Sequence, residues 1–163
     1  MGGMQYFDSS LEDQSFAEIG ARLLFEVDEA EPRLRSVSDE RAGAPRQGGK
    51  WSAKQILGHL IDSAANNHQR FIRGQAVDVL RLPSYAQEQW VASQRYDERR
   101  WEGLIDLWCA YNRHLAHVIA RISESRRDTP CEIGDDAPVT LSYIALDYVG
   151  HIQHHFRQLF GGS

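Results

Sequence analysis

Apolar residues recur along this chain at the spacing of helix faces. Phe16, Ile19, Leu23, Val27 and Leu34 fall three or four apart and predict a helix over 15–37. Pro32 is expected to kink that helix or to end it early. The segment 38–50 carries Gly43, Pro45, Gly48 and Gly49 and reads as a loop. A second helix opens at Ser52, where Ser52 and Gln55 have the spacing of a capping box and Trp51 and Ile56 that of a hydrophobic staple. It is expected to run to about Arg73 and to stop at Gly74. The connection 75–97 is long, and a connection of that length often marks a binding or lid segment. Within it Ser84 and Gln87 offer another capping box, which predicts a short helix over 85–92. Trp101, Leu104, Ile105, Trp108, Leu115, Val118, Ile119 and Ile122 supply the apolar positions of a third long helix over 98–123. After a polar loop with Pro130, Gly134 and Pro138, a fourth helix starts at Thr140, with Val139 and Ile144 spaced for a staple, and ends at Gly161 and Gly162. No stretch alternates as a strand does. The pattern predicts an all-α fold, a four-helix bundle with long middle connections, as one domain over 1–163.

Composition narrows the function classes. The 163 residues are 42% apolar and 25% charged, ordinary for a globular protein with a real core. A formal net charge of -5 lacks the basic footprint that phosphate backbones require, so no nucleic-acid partner is expected. No apolar run approaches the length of a membrane span, and MGGMQYFDSS has no signal pattern, so the expectation is a cytoplasmic protein with no membrane partner. Two cysteines, Cys109 and Cys131, form no C-x-x-C and no disulfide framework. Cys109, among Leu107, Trp108 and Tyr111, reads as a small buried hydrophobe.

The chemistry lies in the histidines. His59 shares a helix face with Ile56 and Leu60 and so points inward. A lone inward histidine is more often a hydrogen-bonded core residue than a ligand. On the fourth helix, His151 and His155 are four apart, on the stripe of Ile144, Tyr148 and Leu159, and can grip one ion. Three histidines with an open position are the ligand set of a catalytic metal site, and neutral imidazole suits such ions. The predicted metal ligands are therefore His59, His151 and His155. The ion expected is zinc or nickel, with iron or manganese as alternatives. Asp62, three after His59, and Asp147, four before His151, are candidate ring-orienting or proton-accepting groups, against the plain reading of each as a solvated carboxylate. Asn66 and Asn67 are candidates to contact substrate or water. His154, rotated about 100° from His155, reads as a surface residue. His114 and His117 read as a polar helix face, and His68 as exposed.

Two segments also resemble a known family. KWSAKQILGHLIDS, with its tryptophan, capped start and G-H-L, resembles the first metal-binding helix of the DinB/YfiT-like superfamily. GHIQHHFRQL resembles that family's closing helix. The order of the histidines, the long middle connection and YNRHLAHVI in the third helix match as well. The resemblance implies a four-helix bundle with a three-histidine divalent metal site, His59, His151 and His155 by position, often in a homodimer. It implies an activity of the family's kinds: S-transfer with small thiols such as bacillithiol or mycothiol, thiol-dependent maleylpyruvate isomerisation, or the metal-dependent hydrolysis for which many members are labelled.

Three functions remain open on the sequence. In the first, an enzyme activates a small thiol or water on its metal. Arg70, Arg73 and Arg113 are then candidates to meet an anionic thiol, and Tyr85, Trp90 and Tyr148 to line the substrate pocket; for each arginine a solvated helix face is the competing reading. The second is a non-catalytic, stress-related protein that binds a metal or ligand. The third is a metal-free bundle with hydrogen-bonded histidines. For a homodimer, the aromatic residues Trp101 and Trp108 make the third helix the expected interface.

Overall fold

A computed structural model describes residues 5–161; Gly162 and the opening MGGM of the sequence reading lie outside them. The long helices are α1 (Phe16–Arg35), α3 (Ala53–Gly74), α5 (Trp101–Ala120) and α6 (Leu141–Phe160), with short helices α2 (Asp39–Gly43) and α4 (Gln87–Gln94) in the connections. Three of the four long helices start on a local cap. Ser15 and Glu18 close a capping box on α1, and Ser52 and Gln55 close the predicted one on α3. Thr140 accepts the amide of Tyr143 at the start of α6. Pro32 neither kinks nor ends α1; it lies inside the helix, which continues to Arg35.

Helix α1 packs mainly on α5, while α3 packs on α5 and α6, so the core is shared by all four long helices. Phe16, Leu23, Leu34, Leu57, Leu60, Leu104, Trp108, Leu115 and Val149 are fully buried there. Burying side chains of this kind contributes roughly 1.5–3 kcal/mol each.

Four expectations are corrected. A small sheet is present: β1 (Leu80–Leu82) pairs in parallel with β2 (Pro130–Ile133), which pairs antiparallel with β3 (Val139–Thr140). Strands of two to four residues are too short to show alternation in sequence. The loop reading of 38–50 omitted α2, capped by Ser38. Helix α4 begins at Gln87, two residues after the expected start, and Ala86 caps it without a side-chain bond, so Ser84 and Gln87 form no capping box. Trp101 and Trp108 are in the core at 2% and 0% exposure, because α5 packs against α1 and α3 on two sides. They offer nothing to a second copy. Among the described residues no helix is long and apolar enough to cross a membrane.

Candidate metal centre

His59 projects from α3 and His151 and His155 from α6, and the packing of these two helices brings the three rings together. The ligand nitrogens lie within 4.8 Å of one another. His151 Nε2 is 3.2 Å from His59 Nε2 and 3.1 Å from His155 Nε2. Ligands at zinc–nitrogen bond length around a tetrahedral ion are separated by about 3.3 Å, so this spacing suits one ion. Hydrogen bonding alone explains it less well. Without an ion, a single proton on His151 Nε2 would have to serve both contacts, because the neighbour His155 presents an acceptor. Its Nδ1 is 2.9 Å from Gln158 Oε1, an acceptor, so Nδ1 carries the proton and Nε2 presents a lone pair. Three convergent imidazole nitrogens, each able to present a lone pair, fit a divalent ion. Burial further holds these rings neutral: the pKa of His59 falls to about 4 and that of His151 to about 2, each through loss of water first and through neighbouring histidines second. His155 is lowered mainly by burial.

The glycine before each helix's first ligand has a physical role. A Cβ on Gly58 would overlap the ring of Tyr96, and one on Gly150 would overlap the backbone of Tyr6. Each glycine therefore lets another segment lie directly on the helix beside a histidine. Tyr6 also packs its ring on His151 and His154, both with centroids 5.1 Å away, and its amide donates to Asp147 Oδ1 at 2.9 Å. Trp51 covers His59 with ring centroids 5.2 Å apart.

A cavity of ≈ 360 Å³ opens beside the cluster. His151, Asp147, Tyr148 and Ile144 of α6 line one side, Ser63, Asn67 and Arg70 of α3 another. Tyr85, Cys131, Ile133 and Val139, from the long connection and the sheet, complete it. The volume is that of a small-molecule site.

A family model for the DinB superfamily matches residues 22–159. The chain belongs to the DinB superfamily. It is 21% identical over 126 residues to the "putative metal-dependent hydrolase" of Oceanobacillus iheyensis, covering 77% of this chain and 72% of that protein. Its fold is similar to that of YfiT from Bacillus subtilis, described as a probable metal-dependent hydrolase with an unusual four-helix bundle topology. The TM-score is 0.71 at 17% identity, over 100% of this chain and 95% of the other.

Within this DinB-superfamily fold the other predicted residues separate. Asp147 lines the cavity beside His151, and burial raises its carboxyl pKa. Asp62 orients no ring: its Oδ1 accepts Gln94 Nε2 and Tyr96 OH, both at 2.6 Å, while His59 Nδ1 has no partner among the described residues. Asn66 bonds back to the Asp62 carbonyl and lies outside the cavity lining, which Asn67 joins instead. Arg70 and Tyr148 line the cavity as expected, although the Tyr148 hydroxyl is committed to Asn112 Oδ1. Arg73 is bonded to Gln69, and Arg113 is paired with Asp28 and Glu31. Tyr85 is a cavity wall, with Trp90 packed behind it. Cys109 and Cys131 are buried, and burial raises both thiols to about 11, which suits neither to nucleophilic attack.

His154 is half-buried, not at the open surface: it packs on Tyr6 and His155, and its Nε2 is 3.1 Å from Gln158 Nε2. His68 is likewise half-buried, 3.0 Å from Tyr111 OH, with His114 packed on its ring. His114 and His117 are exposed, as expected. The sequence reading missed Tyr6, Gln158, Tyr96 and Gln94. Only Gln158 left a signal, three residues beyond His155 on the same helix.

Proposed function

We propose that the chain is a metal-dependent enzyme in which His59, His151 and His155 hold one divalent ion, zinc or nickel before iron or manganese, beside a cavity for a small-molecule substrate. The convergence of three neutral Nε2 atoms, 3.1 and 3.2 Å apart along two edges, carries this reading. Bound through three uncharged ligands, such an ion makes a coordinated water or small thiol a nucleophile at neutral pH. Gln158 fixes the tautomer of His155 by accepting from Nδ1. Asp147 holds a carboxylate at the cavity wall, kept in place by the Tyr6 amide, where it can accept a proton from the attacking group. The Tyr148 ring and the β2–β3 residues Ile133 and Val139 shape the apolar wall. Hydrolysis and thiol S-transfer use the same open position, and both are carried forward as the reaction class.

The test begins with metal content by elemental analysis on untagged protein. About one ion per chain, lost in His59→Ala and in His151→Ala, is the expected result. Metal-loaded protein is then assayed for consumption of small thiols with a generic electrophile and for hydrolysis of esters and amides. Metal-free, well-folded wild type, or metal that survives both substitutions, contradicts the reading of the site.

A further inference from the structure

Arg70 has no part in the chemistry assigned so far, yet it is the cationic side chain in the cavity lining. Eleven residues separate it from His59, close to three full turns, so both lie on one face of α3 about 16 Å apart along the axis. Helix side chains lean toward the N-terminus, and Arg70 does so: its Nη1 comes within 3.4 Å of Asn67 Oδ1, one turn nearer the histidines. Burial lowers its pKa, and the Asp147 carboxylate on the cavity wall compensates in part. Among the described residues no carboxylate comes within 4.0 Å of its guanidinium, while Arg81, Arg95, Arg100, Arg113 and Arg127 all have acidic partners. A desolvated guanidinium with no carboxylate in contact is costly and is relieved by an anion that offers two oxygens to its planar fork.

From this geometry we infer that the substrate carries a carboxylate, received by Arg70 with its remainder directed toward His151. The inference names the substrate class of the proposed metal site and rests on that reading. Charge sets the valence of the anion. Asp147 and Asp136 also line the cavity and disfavour a dianion, so one cationic side chain matches a single negative charge. Asp147 leaves room for an N–H or O–H donor on the same molecule, and Tyr85, Ile133 and Tyr148 take its apolar part.

The probes are hexanoate and its uncharged analogue hexanamide, titrated into the full chain and followed by NMR at the Arg70 Nε–H and Asn67 side-chain amide signals. Hexanoate is expected to saturate these signals, with hexanamide much weaker. Arg70→Gln is expected to weaken hexanoate about tenfold or more, leaving hexanamide and metal content unchanged. Arg113→Gln, at a paired surface arginine, is expected to change neither. Repeating the titration in His155→Ala separates the two readings. Hexanoate that still reaches Arg70 there binds independently of the ion, whether or not the metal reading holds. No saturable shift in the wild type, or equal hexanoate affinity in Arg70→Gln, overturns the inference.

Discussion

Helix α3 carries two histidines, and each meets a histidine of another helix in a different way. His59 sits at 1% exposure and turns Nε2 toward two further imidazoles on α6. His68 lies two and a half turns on, half-buried, with its Nδ1 on the Tyr111 hydroxyl and the exposed His114 against its ring. Proximity of histidine rings is common to both. The first cluster adds a third ring, burial that keeps all three neutral, and Gln158 to orient one of them. In the second, the ring nitrogen is satisfied by a phenol and, among the described residues, no third ligand group converges. A metal site requires lone pairs directed at one point, and histidine content or an i,i+4 spacing is insufficient evidence of that.

Substitutions sharpen the contrast. The largest effect is expected from His151→Ala, which removes the nitrogen close to both others and abolishes stoichiometric metal binding, whereas His114→Ala leaves metal content unchanged; elemental analysis of both proteins checks this. Next come Gly58→Ala and Gly150→Ala. Each added methyl overlaps a packed segment, the Tyr96 ring in one case and in the other the backbone of Tyr6, whose ring lies on His151. A cost of about 1–3 kcal/mol is expected in denaturant unfolding, whereas Gly103→Ala, in α5 where a Cβ meets open space, is expected to be neutral or to stabilise by up to about 1 kcal/mol. Gln158→Ala is expected to weaken metal binding by about 10–100-fold through the freed His155 ring, measured by chelator competition, while His117→Ala does not.

The same contrast carries a pH dependence. The metal-free folded chain protonates His59 only near pH 4, whereas the unfolded chain does so near the ordinary histidine value of 6.5. The unfolded state thus binds more protons across that window, and stability falls as pH drops from 6.5 toward 4. The slope expected is up to about 1.4 kcal/mol per pH unit for each such histidine. His59→Ala should reduce it by one histidine's share, in urea titrations at several pH values, with His151 and His155 supplying the rest.

The part of this site that lies on one helix was legible from sequence. The capping boxes and the His151–His155 spacing are local, and the inward face of His59 follows from Ile56 and Leu60 beside it. The failures are long-range. Asp62 and Asp147 each stand about one turn from a ligand and look alike in sequence; folding ties Asp62 to Gln94 and Tyr96 and turns Asp147 into the cavity. Trp101 and Trp108 looked available for a partner because nothing local shows that α1 and α3 cover α5. The sheet escaped notice because its strands are short and their pairing joins residues about fifty positions apart. The arginines were equivalent in pattern, and only the packing separates Arg70 in the cavity from Arg113 among surface carboxylates.

X-ray absorption at the zinc edge, on protein loaded with one equivalent of zinc, tests the metal centre most directly. Three imidazole nitrogens at about 2.0–2.1 Å with one exchangeable oxygen ligand is the result expected. A shell of oxygen ligands with one imidazole or none, unchanged by His151→Ala, would contradict it.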